Sequence, residues 1–309
     1  MSYKKNDSYA IYGYLFSIPF VVAFLLFLLY PLVYTATIGF TDLKGAIPSG
    51  WKFLENPFEN FGLVLKNNTF QVSMVNTFKI WFMNFIPQVV LALLLTAWFT
   101  NRQHEIKGKG LFKVLFYMPN IITAATIAIL FNVLFMYPKG PINDFLVAIN
   151  FLKEPFEFTL SKNASQLIVA FIQFWMWYGY TMLILISGVL GLNPEMYEAS
   201  EIDGANGVQQ FFLITLPNLR SIIIYVLITS MVGGLNMFDI PRLFNDGRPD
   251  NATSTVSLFI YNQAFAGSYM YNRAAAASMI LFVIIAILSA IVFFLLREKN
   301  PNQIKKIRR

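Results

Sequence analysis

The sequence predicts an all-α polytopic membrane protein with six transmembrane helices and both termini in the cytoplasm. Three observations carry that prediction. Of 309 residues, 57% are hydrophobic and only 13% are charged, more apolar surface than a soluble core of this size could hide. Six apolar segments reach the roughly 20 residues needed to cross a bilayer. Basic residues gather at alternate ends of those segments, the asymmetry that sets orientation in a membrane.

The six segments run near Tyr12–Tyr34, Val72–Phe99, Phe112–Met136, Leu167–Leu190, Ser221–Phe238 and Ala274–Leu296. The first follows a polar, basic start, MSYKKNDSY, and so imitates a signal peptide. The apolar run from Ile11 to Ile38 is too long for one and shows no small-residue cleavage pattern, so it is expected to be retained. The fifth is interrupted by Gly233 and Gly234. Lys4, Lys5, Arg102, Lys107, Lys109, Lys113, Arg220 and a basic tail from Arg297 fall on one side, while the opposite, longer loops match basic residues with acids. A cytoplasmic segment over 1–11, one membrane domain over 12–297 and a basic cytoplasmic tail over 298–309 are therefore expected. The net charge of +7 is read as orientation rather than nucleic-acid affinity.

Composition also excludes chemistry. There is no cysteine, and the single His104 rules out sites needing two imidazoles. No G-x-x-x-x-G-K-[ST] occurs, so the chain is not itself an ATPase, and no cofactor is expected in it. No acid lies between the ends of any span, which argues against a proton- or sodium-driven transporter. The long loops Thr41–Phe70, Tyr137–Ser165 and Asp239–Arg273 are either spacers or a docking surface for an external partner.

The loop Asn193–Arg220, NPEMYEASEIDGANGVQQFFLITLPNLR, stands apart. It carries Glu195, Glu198, Glu201 and Asp203, and an acid costs about 2.5 to 3.5 kcal/mol at a bilayer centre, so it lies outside the hydrocarbon. Asn193 as cap, Pro194 at the first helical position and Gly204 as a left-handed stop predict a short helix. Val208, Phe211, Phe212 and Leu216 recur at helical spacing while Gln209 and Gln210 fall on another face, which predicts a second helix along the lipid boundary. Pro217 then restarts the chain into the next span. On these cues alone an ordinary solvated loop remains an equal reading.

The spelling of the loop is more specific. Glu198, Ala199 and Ser200, three residues, Gly204, nine residues, Ile214, then Leu216 and Pro217 closely resembles the EAA loop of ABC importer permeases, and Ile202 to Ala205 (IDGA) is similar to its carbohydrate branch. Ser200 in place of the second Ala is a small-for-small departure. The resemblance continues through RQHEIKGKGLFKVLFYMPNIITAATIAILFNVLF, GPINDFL (Gly140 to Leu146) and DGRPDNATSTVSLFIYNQAF (Asp246 to Phe265), which look like the first permease of sugar importers of the maltose, lactose and glycerol-3-phosphate type. It implies a type I importer permease fold in a bacterial inner membrane. It also implies a second permease subunit, a pair of cytoplasmic ATPase subunits that bind Mg-ATP, and an external sugar-binding protein as partners. Glu198, Ala199, Ser200, Glu201, Asp203, Gly204, Ala205, Leu216 and Pro217 would then form the coupling helix and its base, docked into a groove of the ATPase.

Substrate is expected near the midplane, where spans bend and irregular backbone lines a cavity. Three places qualify: Pro87 with Asn84 and Gln88, Trp175 to Thr181, and Ser230 to Asp239. Pyranose faces stack on aromatic rings while their hydroxyls need polar partners, so Gln173, Tyr180, Ser230 and Asn236 are candidates, with packing or interface anchoring as the competing reading of the aromatics. Family resemblance adds Met176, Trp177, Gly233, Gly234 and Met237 by spacing. Gly233, Gly234 and Met237 depart from the aromatic and amide groups expected there, which argues against maltose held in the same way. Lys79 is the one charge inside a span, either snorkelling to the interface or facing the pore. An oligosaccharide is the expected substrate, and a polyol or glycerol phosphate is the alternative.

Overall fold

A computed structural model describes residues 8–47, 50–103 and 106–297. The expectations for His104, for residues 1–7 and for the tail 298–309 lie outside the described residues. Among those described, the chain is helical throughout, and Thr41 opposite Phe53 is an isolated antiparallel bridge. It divides into two compact units, residues 8–67 with 260–280, and residues 68–259 with 281–297.

In the first unit, α1 (Ser8–Phe24) passes through a π-helical turn, Leu25–Leu29, into α2 (Tyr30–Ile38), and α3 (Glu59–Leu65) follows. The apolar stretch from Tyr12 contains no buried window, as expected of a helix whose side chains face lipid or another subunit. The chain leaving α2 is held by one buried amide. Asn60 on α3 donates to the carbonyls of Gly39 at 2.9 Å and Thr41 at 2.8 Å, and accepts from Asn272 at 3.1 Å.

The second unit is organised by α4 (Asn68–Thr100), α5 (Lys109–Ile121), α6 (Ala124–Leu134), α7 (Pro141–Ala148) and α8 (Lys162–Leu190). Helices α4 and α8 run side by side in the same direction: Gln166 bonds Asn76 near their starts and Gln88 bonds Thr181 further along. Over half of the apolar window of α8 is buried, which makes it the central helix. It presses so closely on α5 that a Cβ at Gly179 would lie 2.0 Å from the carbonyl oxygen of Phe116; small residues allow such approach between membrane helices.

The third span differs from the expected single crossing over Phe112–Met136. It is the pair α5 and α6, bent by 88°. The break has three causes. Pro119 removes a donor at the end of α5, Ile122 is extended, and Thr123 caps α6 by accepting from the Thr126 amide. Asn120 meanwhile donates to the Met176 carbonyl of α8 at 3.2 Å. By contrast, α4 continues unbroken through Pro87, and α8 through Trp175 to Thr181, so two of the three expected irregular places are regular helix.

After α9 (Glu195–Ile202), the chain rises through α10 (Gly207–Gln210), a π-helical turn Phe211–Thr215 and α11 (Leu216–Asn218) into α12 (Arg220–Leu235). The fifth span breaks after Leu235 and resumes as α13 (Asp239–Asn245), followed by α14 (Val256–Phe265) and α15 (Tyr271–Leu296). The expected interruption at Gly233 and Gly234 is absent, since both lie inside α12; the chain leaves the helix at 236–238, within the expected stretch Ser230–Asp239. Arg220 ties the start of α12 to the end of α15 through a hydrogen bond from its Nε to the Leu296 carbonyl.

Two long loops are likewise fixed by buried amides. Asn143 donates to the carbonyls of Met136 and Phe156 and accepts from the Phe156 amide at 2.8 Å. Asn76 donates to the Asn251 carbonyl at 2.7 Å, and Gln166 to that of Ala252 at 2.7 Å, so residues 246–255 are pinned to α4 and α8. Gly179→Ala should force α5 and α8 apart and cost about 1 to 3 kcal/mol, as overpacking against backbone does. A thermal unfolding midpoint in detergent equal to that of the wild type would contradict the close approach.

Candidate coupling loop and substrate path

The acidic loop folds as its caps dictate, with small changes of register. Pro194 is the N-cap, and Asn193 acts one residue earlier by accepting from the Glu195 amide at 3.1 Å. Gly204 has φ +80°, the left-handed stop, and no atom lies within 4 Å of where its Cβ would be. The requirement there is conformational, and the space beside it is open. The next helix starts with a capping box: Asn206 accepts from the Gln209 amide, and Gln209 accepts from the Asn206 amide, both at 2.9 Å. The expected second helix is only its first turns, since α10, the π-helical turn and α11 lead almost without pause into α12.

Glu198, Ala199, Glu201, Asp203, Gly204 and Pro217 are exposed, while Ser200, Ala205 and Leu216 are half-buried. Met196 and Ile202 are exposed apolar side chains on the same short helix, Ile202 at 88%.

The opposite side of α9 is anchored by residues the sequence did not mark. Tyr197 is buried, its hydroxyl 2.9 Å from the Thr215 hydroxyl in the π-helical turn, and the guanidinium of Arg102 lies 4.7 Å from its ring centroid. Buried Gln210 donates to Ser200 Oγ at 3.0 Å. Gln103, from the loop after α4, donates to the Ala205 carbonyl and accepts from the Gly207 amide, each at 3.0 Å. Asn101 packs where a Gly207 Cβ would sit. The helix is therefore clamped both to α4, through 101–103, and to α12, through 210–215. A tyrosine amid acids and the adjacent Gln209-Gln210 pair were the available signals, but partners about a hundred residues away are invisible to local spacing.

The substrate-path candidates scatter. Tyr180 borders a cavity of about 560 Å³ between α5, α8 and α12, with Tyr117, Ser187, Ser221 and Tyr225, and Trp177 meets its ring edge-on at 5.7 Å. Ser230 accepts from Gln88 Nε2 at 3.1 Å, the same nitrogen that bonds Thr181. Gln173 is buried. Gly233 faces open space, whereas a Cβ on Gly234 would come 2.6 Å from the Trp81 ring. Asn236 folds back on the Val232 carbonyl at 2.9 Å. Met176 and Met237 are buried together with Ile80, Ile172 and Ile240. The structure thus places Gly234, Met176 and Met237 in packing. Tyr180 is the one of the named candidates lining that tyrosine-rich cavity. Lys79 is exposed on α4.

Residues 61–300 match the family described as binding-protein-dependent transport system inner membrane component. The lactose transport system permease protein LacF of Rhizobium radiobacter is 28% identical over 295 residues, covering 94% of this chain and 96% of the relative. The arabinooligosaccharides transport system permease protein AraP of Bacillus subtilis is 29% identical, covering 90% and 86%. A similar fold occurs in the crystal structure of a bacterial alginate ABC transporter in complex with alginate pentasaccharide-bound periplasmic protein: TM-score 0.76 at 20% identity, over 94% of this chain and 96% of that one. With most of its length matched, the chain belongs to the family of binding-protein-dependent transport system inner membrane components.

Proposed function

We propose that this chain is the permease subunit of an ATP-driven importer for an oligosaccharide, with α9 as the coupling helix that a cytoplasmic ATPase grips. One observation carries the reading: a short, exposed, acidic helix is rigidly clamped from behind to two different spans. A force applied to its outer face is then delivered to α4 through Arg102 and Gln103 and to α12 through Tyr197 and Gln210. The sugar relatives and the tyrosine-rich cavity beside Tyr180 support a carbohydrate cargo, since aromatic faces and hydroxyls suit pyranose rings. A second permease subunit, a pair of ATPase subunits holding Mg-ATP and an external sugar-binding protein complete the machine. The loop and both termini lie in the cytoplasm of a bacterial cell. Swinging the spans from 1:99 to 99:1 between inward- and outward-facing states requires about 5.5 kcal/mol of preference for one state, and a stiff mount is what keeps that preference from dissipating in loop motion.

In vesicles reconstituted with all partners, Glu198→Lys and Gly204→Glu should abolish ATP-driven sugar uptake while the protein remains in the membrane; normal uptake by both would reject the coupling role of α9. Tyr197→Phe removes one hydroxyl contact, worth about 1 kcal/mol, and should lower uptake modestly. Tyr197→Ala also removes the ring under Arg102 and should lower it much further. Equal uptake by the two variants, measured with radiolabelled sugar, would show that the clamp behind α9 carries no load.

A further inference from the structure

Beside the clamp, the ends of α4 and α8, the first turns of α5 and the start of α9 enclose a cavity of about 470 Å³. Arg102, Lys109 and Lys113 line it together with Tyr197, Phe99 and Leu190. Among the described residues, its walls hold no acidic residue and none of the three cations forms an ion pair. Lys109 and Lys113 are one turn apart on α5, with Lys109 in the opening turn, where the positive end of the helix dipole makes a cation unfavourable. Three like charges gathered in one concavity raise the energy of the empty site, and helix stability offers no return for the arrangement.

The surroundings identify the missing negative charge. The cavity opens where three helices reach the end of their apolar stretches, and its own walls include Phe99, Val189, Leu190 and Leu192, with Leu190 75% exposed. A soluble anion would use the cations and leave this apolar rim in water. An amphiphile with a phosphate head uses both, and each juxtamembrane cation attracts an anionic lipid surface. We infer that the cavity binds the phosphate headgroup of an anionic phospholipid, with Arg102, Lys109 and Lys113 around the phosphate and the acyl chains along the exposed side chains of α5 and α8.

The test uses the full chain in its assembled complex, placed in nanodiscs of phosphatidylcholine containing a minority of phosphatidylglycerol, then extracted and weighed by native mass spectrometry. Phosphatidylglycerol should be retained in preference to phosphatidylcholine. Lys109→Gln with Lys113→Gln should weaken retention roughly thirtyfold, the weight of two juxtamembrane charges, while Lys107→Gln, outside the cavity, should leave it unchanged. Equal retention of the two lipids, or the same loss from Lys107→Gln, would overturn the site. Displacement of the lipid by millimolar inorganic phosphate would also overturn it, by showing that the phosphate group binds without help from the chains. Lipid retention is read without ATP or sugar, so its failure is distinguishable from failure of the transport reading.

Discussion

At three places where this chain leaves regular helix, buried side-chain amides take over backbone hydrogen bonds. Hydrocarbon offers no water to satisfy free carbonyls and amides, so non-helical backbone at or near membrane depth survives only where protein supplies partners. Asn60 does so for the segment after α2, Asn143 for the loop after α6, and Asn76 with Gln166 for residues 251–252. Near the bend of the third span, half-buried Asn120 ties α5 to α8 by donating to the Met176 carbonyl. Asn60, Asn143, Asn76 and Gln166 each reach a carbonyl outside regular helix, so those segments are tied to the helices that carry the amides.

The same device, moved to the opposite ends of α4 and α8, builds the mount of α9. Gln103 and Gln210 hold the helix from the spans on either side, and Tyr197 fills the gap beneath it with a hydroxyl on Thr215 and a guanidinium over its ring. The exposed face is left with acids, Met196, Ile202 and the open space beside Gly204. One face of the helix is thus held against the spans, and the other is left open. The π-helical turn Phe211–Thr215 belongs to the held face: the Thr215 hydroxyl meets that of Tyr197 and bonds the Gln210 carbonyl at 3.3 Å.

The residues that spacing singled out for a substrate path have different surroundings. Gly234 and Met237 sit at positions where resemblance predicted contacts, yet one makes room for Trp81 and the other fills an apolar cluster. Ser230 is engaged with Gln88. Tyr180 instead shares a cavity with Tyr117 and Tyr225, residues of two other helices that no local pattern linked to it.

The sequence by itself determined the membrane character, the apolar stretches and the short capped helix with Gly204 as its stop. These follow from local physics: hydropathy over some twenty residues, a left-handed φ that favours glycine, and side chains that satisfy amides two or three residues away. Tertiary structure alone decided that Tyr197 is an anchor rather than a surface residue and which polar groups face a cavity. Those outcomes depend on which distant carbonyl or ring lies within about 3 to 5 Å, and that proximity is created by packing α8 against its neighbours, not by anything written within a helical turn.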